Sequence, residues 1–129
     1  MYFVPMGTAG KVPLFGDIVG GVMMPNNLGK IVRACWDALP AHYAVELDAF
    51  VVMPDHIHGL LFVPQDARHP ITEIVRGLKS FSAKRINEAR DVRAEPVWHR
   101  SFHDRFVRDT AELAHIRRYI AQNPSRRPQ

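Results

Sequence analysis

Residues 51–63, VVMPDHIHGLLFV, constrain this chain more than any other stretch, because two histidines stand two apart inside an otherwise apolar run. Side chains alternate faces along a β-strand, so His56 and His58 project to one side while Ile57 points to the other. Val51, Val52, Leu60, Leu61, Phe62 and Val63 are strand formers, and such a run marks a strand covered on both faces. Buried imidazoles need partners, and two that converge from a rigid element suit a divalent metal. A backbone carbonyl accepting from each ring would satisfy them too. The metal reading therefore needs a third ligand and a reactive group elsewhere.

A chain of 129 residues fits one domain with a core of its own. No apolar stretch approaches the roughly 20 residues that span a bilayer, and no basic-then-apolar leader opens the chain. A cytoplasmic protein with no membrane partner is expected. Cys35 is the single cysteine, which excludes an internal disulfide framework. Leu28, Ile31, Val32 and Leu39 surround it at helical spacing, so it reads as core. Residues 1–64 hold 3 Lys/Arg against 5 Asp/Glu, whereas residues 65–129 hold 14 against 8. That asymmetry suggests a face that meets a polyanion, nucleic acid above all, or simply a solvated basic surface.

The element pattern is β-β-α-β-β-α-β-α. YFVP reads as a strand, PLFGDIVG and GVMMP as a hairpin around Gly20-Gly21, and Asn26 or Asn27 as the cap of a helix halted by Pro40. In VELDAFVVM the alternation puts Val45, Leu47, Ala49 and Val51 on one face, and HIHGLLFV follows as an antiparallel partner. Ile71, Ile74, Val75, Leu78, Phe81, Ser82 and Ile86 recur at helical steps from Pro70, flanked by basic residues. VWHRSFHDRFV supplies one or two short strands. Asp109 with Glu112 forms a capping box for a last helix, whose buried stripe is Leu113, Ile116 and Ile120. Asn123-Pro124 ends it, leaving 125–129 as a disordered tail behind a single domain over 1–124. This order describes an α+β fold, an antiparallel sheet with helices packed mainly on one face.

On that last helix Tyr119 and Asn123 are four apart and share a face beside the apolar stripe. They can offer a phenol nucleophile and an amide oxygen ligand together, with Gln122 as an alternative amide. A packing tyrosine and a helix-ending asparagine fit the same spacing.

MPDHIH at 53–58, WHRSFHDRFVR at 98–108 and RRYIAQNP at 117–124 together resemble the HUH single-tyrosine transposases, in particular the group that includes the REP-associated tyrosine transposases. The resemblance covers nearly the whole chain. It implies a ferredoxin-like or RRM-like sheet with the histidine pair on a central strand. It also implies His56 and His58 as metal ligands, Tyr119 as nucleophile and Asn123 as the third, amide ligand. Asp55 departs from the family, which commonly has Asn there. Members act on single-stranded DNA, often a hairpin, through a covalent 5′-phosphotyrosine, and the homodimer is the expected assembly. Ligand softness alone favours zinc or manganese; the resemblance implies magnesium or manganese.

Arg76, Lys79, Lys84 and Arg85 on the long helix, with Arg100, Arg105, Arg108, Arg117 and Arg118 further on, are the expected contacts to the DNA backbone. Trp98, Phe102 and Phe106 suit either base stacking or a core. His103, Asp104 and His115 receive no role. Besides strand cleavage and transfer in DNA transposition, the same features fit an inactive or domesticated relative that only binds single-stranded or hairpin nucleic acid.

Overall fold

Strand β5 (His56–Phe62), which carries the histidine pair, lies inside a four-stranded antiparallel sheet of order β4-β5-β1-β6, with β1 at Tyr2–Gly7, β4 at Glu46–Met53 and β6 at Arg105–Phe106. The computed structural model describes residues 1–101 and 103–126, with side chains through Gln122; Phe102 and residues 127–129 lie outside the described residues. A separate hairpin, β2 (Gly16–Val19) and β3 (Val22–Pro25), turns at Gly20-Gly21 as the sequence predicts.

The two faces of β5 enter different apolar layers. Ile57 and Leu61 pack with Val32, Cys35 and Trp36 of α1 (Asn27–Asp37) and with Ile74, Leu78 and Ile86 of α3 (Ile71–Arg90). Leu60 packs on the other side with Val107 and with Ile116 and Ile120 of α4 (Thr110–Arg126). His56 and His58 share the parity of Leu60, so they sit on the α4 face. Helices α1 and α3 account for the expected one-sided cover, and α4 is the helix on the opposite face. Gly59 is needed between His58 and Leu60, because a Cβ there would come within 2.4 Å of the Trp36 indole. Cys35 is fully buried, and burial pushes its thiol up against the opposing pull of the Arg85 guanidinium, as befits core filler.

Three local details correct the sequence reading. Leu47 pairs with Leu61 and Phe50 with Gly59, so Asp48 and Ala49 together oppose Leu60. This bulge breaks the alternation expected for β4: Val45 and Leu47 pack with the α1/α3 layer, Ala49 and Val51 with the α4 layer. Pro40 does not follow α1 directly; α1 stops at Asp37 and the proline stands in the first turn of a short α2 (Leu39–His42), where its missing N–H is no loss. Helix α4 runs through Pro124 to Arg126, beyond the expected stop and into the expected tail. A proline in the closing turn forfeits a single backbone bond, and its bias on the preceding residue is not absolute.

The helix starts follow their caps. The Asn26 side chain accepts from Gly29 N–H at 3.0 Å. Asp109 accepts from Glu112 N–H at 2.8 Å, and Glu112 accepts in return from Arg108 N–H at 3.0 Å, one residue before the expected partner of the box.

Candidate active site

Strand geometry brings the two imidazoles together. The His56 and His58 ring centroids are 4.7 Å apart, and Phe3 of β1 packs against His58 at 5.3 Å. The Asp55 carboxylate accepts from His56 Nδ1–H at 2.7 Å, and the His56 side chain is only 17% exposed. With Nδ1 carrying the proton, the neutral ring keeps its lone pair on Nε2, the state a metal ligand requires. A carboxylate behind an imidazole is also the usual device for holding such a ligand in orientation. The two histidines therefore suit a divalent cation. Among the described residues no group of three or more His, Cys, Asp or Glu side chains is placed to hold one. The expected third ligand, the side chain of Asn123, lies outside the described residues.

Helix α4 delivers the phenol. Ile116 and Ile120 anchor it in the core, and Tyr119 turns toward the sheet, its ring centroid 5.5 Å from that of His58. Tyr119 is 42% exposed, so the phenol is open to a large substrate. Arg117, two residues before it, forms a bidentate pair with Asp48, at 3.0 Å to Oδ1 and 2.6 Å to Oδ2. Asp48 faces this side because the preceding Leu47 faces the α1/α3 layer. Those bonds hold the Asp48 carboxyl below its ordinary range, against the effect of its burial. Phenol and imidazoles thus meet within one chain.

The basic residues divide between the layers. Arg76, Lys84 and Arg85 are exposed on α3, across the sheet from the histidines. Lys79 donates to the carbonyls of His99 and Ser101 at 2.9 Å each. Arg105 pairs with Glu112 at 2.7 Å, while Arg100, Arg108 and Arg118 are exposed. Of the candidate stacking aromatics, Trp98 is core, with its Nε1–H donating to Ser82 at 2.8 Å, and Phe106 is 57% exposed. Phe102 lies outside the described residues. Sequence reasoning gave Asp55 no positive part; its place directly before His56 was the available signal. It missed Asp48 altogether, since its partner Arg117 lies 69 residues away in the chain.

Comparison with known proteins adds five findings. A family model described as "Transposase IS200 like" matches residues 23–123. In Haemophilus influenzae, a protein named only as uncharacterized is 29% identical over 95% of this chain and 79% of its own length. Another there, named "Putative REP-associated tyrosine transposase", is 28% identical over 71% of this chain, which spans 56% of that relative's length. A solved REP-associated tyrosine transposase bound to a REP hairpin has the same fold, with TM-score 0.69 and 19% identity over 95% of this chain and 65% of that one. A "putative transposase" from Deinococcus radiodurans superposes with TM-score 0.60 and 26% identity over 94% of this chain and 88% of that one.

Proposed function

Because the chain belongs to the IS200-like transposase family, we propose that it cleaves single-stranded DNA at or beside a hairpin and transfers the strand through a covalent link to Tyr119. The observation that carries this reading is the approach of Tyr119 on α4 to within 5.5 Å, ring to ring, of His58 on β5. The hairpin in the solved relative supports the choice of substrate class.

The Tyr119 oxygen bonds to the phosphorus of one linkage and the bond from phosphorus to O3′ breaks. The phenolic proton is passed, on balance, to the departing O3′. One strand then carries a free 3′-hydroxyl and the other a 5′-phosphotyrosine, which conserves the ester for rejoining to another 3′-hydroxyl without ATP. His56 and His58, with Asn123 as the amide ligand, would hold magnesium or manganese, which would offset the negative charge of the phosphate. Asp55 keeps the His56 ring turned for that task, and the Arg117–Asp48 pair fixes α4 over β4 so that the phenol is not free to swing. Arg100, Arg108 and Arg118 offset the charge of the DNA backbone. A homodimer is compatible with this scheme but is not needed to complete the meeting of phenol and imidazoles.

The test is incubation of the protein with single-stranded hairpin oligonucleotides and manganese or magnesium, followed by denaturing electrophoresis. A protein–DNA adduct is expected with the unaltered chain and not with Tyr119→Phe. An adduct that survives Tyr119→Phe removes Tyr119 from the role. Salt-sensitive binding with no adduct under either metal identifies a binding protein of this fold instead.

A further inference from the structure

Across β1 from the histidine pair lies a second polar cluster that the cleavage chemistry leaves unused. In the antiparallel register Pro5 stands opposite His58 and Gly7 opposite His56, so both residues share the histidine face. On the far side of β1 the His99 N–H donates to the Gly7 carbonyl at 2.8 Å. A cleft of about 250 Å³ opens there, lined by Pro5, Gly7, Lys11, His99, Ser101 and His103.

Its hydrogen bonds are directional. The Ser101 N–H donates to His99 Nδ1 at 3.2 Å, which makes that nitrogen an acceptor. The Ser101 hydroxyl, 2.7 Å from the same nitrogen, then donates to it and accepts from His103 Nε2–H at 2.9 Å. His99 therefore carries its proton on Nε2, away from the serine. The Lys79 ammonium, bonded to the carbonyls of His99 and Ser101, fixes the loop. Lys11 is held by its own constraint: its backbone is left-handed, with φ +55°, and its N–H donates to the carbonyl of buried Thr8. The Thr8 N–H in turn donates to the Asp55 carbonyl at 2.9 Å, which ties this wall of the cleft to the turn that precedes His56.

Gly7 joins the cleft to the histidines. A Cβ there would meet nothing within 4 Å, and the backbone does not have the positive φ that calls for glycine. Neither packing nor conformation asks for it. An open strand floor between two polar clusters is what close passage of a polymer backbone requires.

We propose that Lys11, His99, Ser101 and His103 form a phosphodiester subsite. It seats the linkage next to the scissile one, on the strand that leaves with the free 3′-hydroxyl. The inference rests on the DNA-cleavage reading above. Tyr119 comes from α4, which is tied to β4 by the Arg117–Asp48 pair, whereas the cleft lies beyond β1, on the other side of the histidines. Attacking and leaving oxygens stand roughly in line at phosphorus, so the leaving strand extends toward the cleft.

The experiment is a scan of hairpin oligonucleotides in which one linkage at a time is a neutral methylphosphonate. Adduct rate is read for the unaltered chain, Lys11→Gln and Gly7→Leu, the last filling the floor. In the unaltered chain one neutral linkage beside the scissile phosphate should slow the adduct by about tenfold, the scale of a lost hydrogen bond to a charged group. Both variants should be slower on natural DNA and insensitive to that linkage. Variants that stay as sensitive as the unaltered chain at every position overturn the proposal. Should the unaltered chain give no adduct on any oligonucleotide, the cleavage reading fails on its own. Binding constants for the same oligonucleotides then decide the subsite: coupling between one linkage and these residues upholds it, and absence of coupling rejects it. Inorganic phosphate that competes for the cleft without any linkage dependence points to a free-anion site and likewise rejects it.

Discussion

At the scale of single residues, the hydrogen bond from His56 Nδ1 to Asp55 decides which nitrogen faces the site. An asparagine at position 55 can still accept that bond through its side-chain oxygen, whereas alanine cannot. Partners that orient a ligating histidine are worth about 10–100-fold in metal affinity. Asp55→Ala should therefore weaken manganese binding on that scale, and Asp55→Asn much less, as read by calorimetric titration of the cation. Equal losses in the two variants would assign the effect to charge rather than orientation. The facing of His56 and His58 was legible from their spacing alone, because strand parity is a local property. The reason for Gly59 was not, because the indole that fills its place comes from α1. Gly59→Ala puts a Cβ into that ring and should lower stability by about 1–3 kcal/mol, the usual cost of overpacking, in chemical denaturation.

At the scale of elements, α4 is positioned by its apolar stripe and by Arg117 on Asp48. The stripe of Leu113, Ile116 and Ile120 is a periodic signal, and the sequence shows it plainly. The anchor is hidden, since its two partners lie 69 residues apart and no local pattern pairs them. Asp48 follows Leu47, which faces the α1/α3 layer, so ordinary alternation already points it to the α4 face, and the bulge adds Ala49 beside it. The pair makes stability depend on pH with a definite sign. Asp48 in the folded chain titrates below its ordinary range, chiefly through the Arg117 hydrogen bonds. Its contribution is complete above the unfolded carboxylate value of about 4 and is lost as pH falls through the lower folded value. Asp48→Asn should thus melt below the unaltered chain at neutral pH, with the gap closing in acid. A gap that stays constant or widens as pH falls would contradict this account of the anchor.

At the scale of the whole molecule, the sheet separates two kinds of surface. Arg76, Lys84 and Arg85 of α3 lie across it from the histidines, so the positive balance of the second half of the sequence does not gather on one face. Charge counts could not show this, because they carry no information about layers. Among the described residues no helix is long and apolar enough to cross a membrane. The same layering bears on assembly. Helix α4 reaches Tyr119 to His58 without leaving its own chain, held by core contacts at Ile116 and Ile120 and by the Asp48 pair. For the tyrosine to serve a second subunit, both attachments would have to break and re-form across an interface. Coexpression of a Tyr119→Phe chain with a His56→Ala, His58→Ala chain separates these cases. A site built within one chain gives no adduct from the mixture, since neither chain holds both phenol and imidazoles. Adduct recovered on the chain that keeps Tyr119 would mean that α4 exchanges between subunits, with the dimer then an integral part of the site.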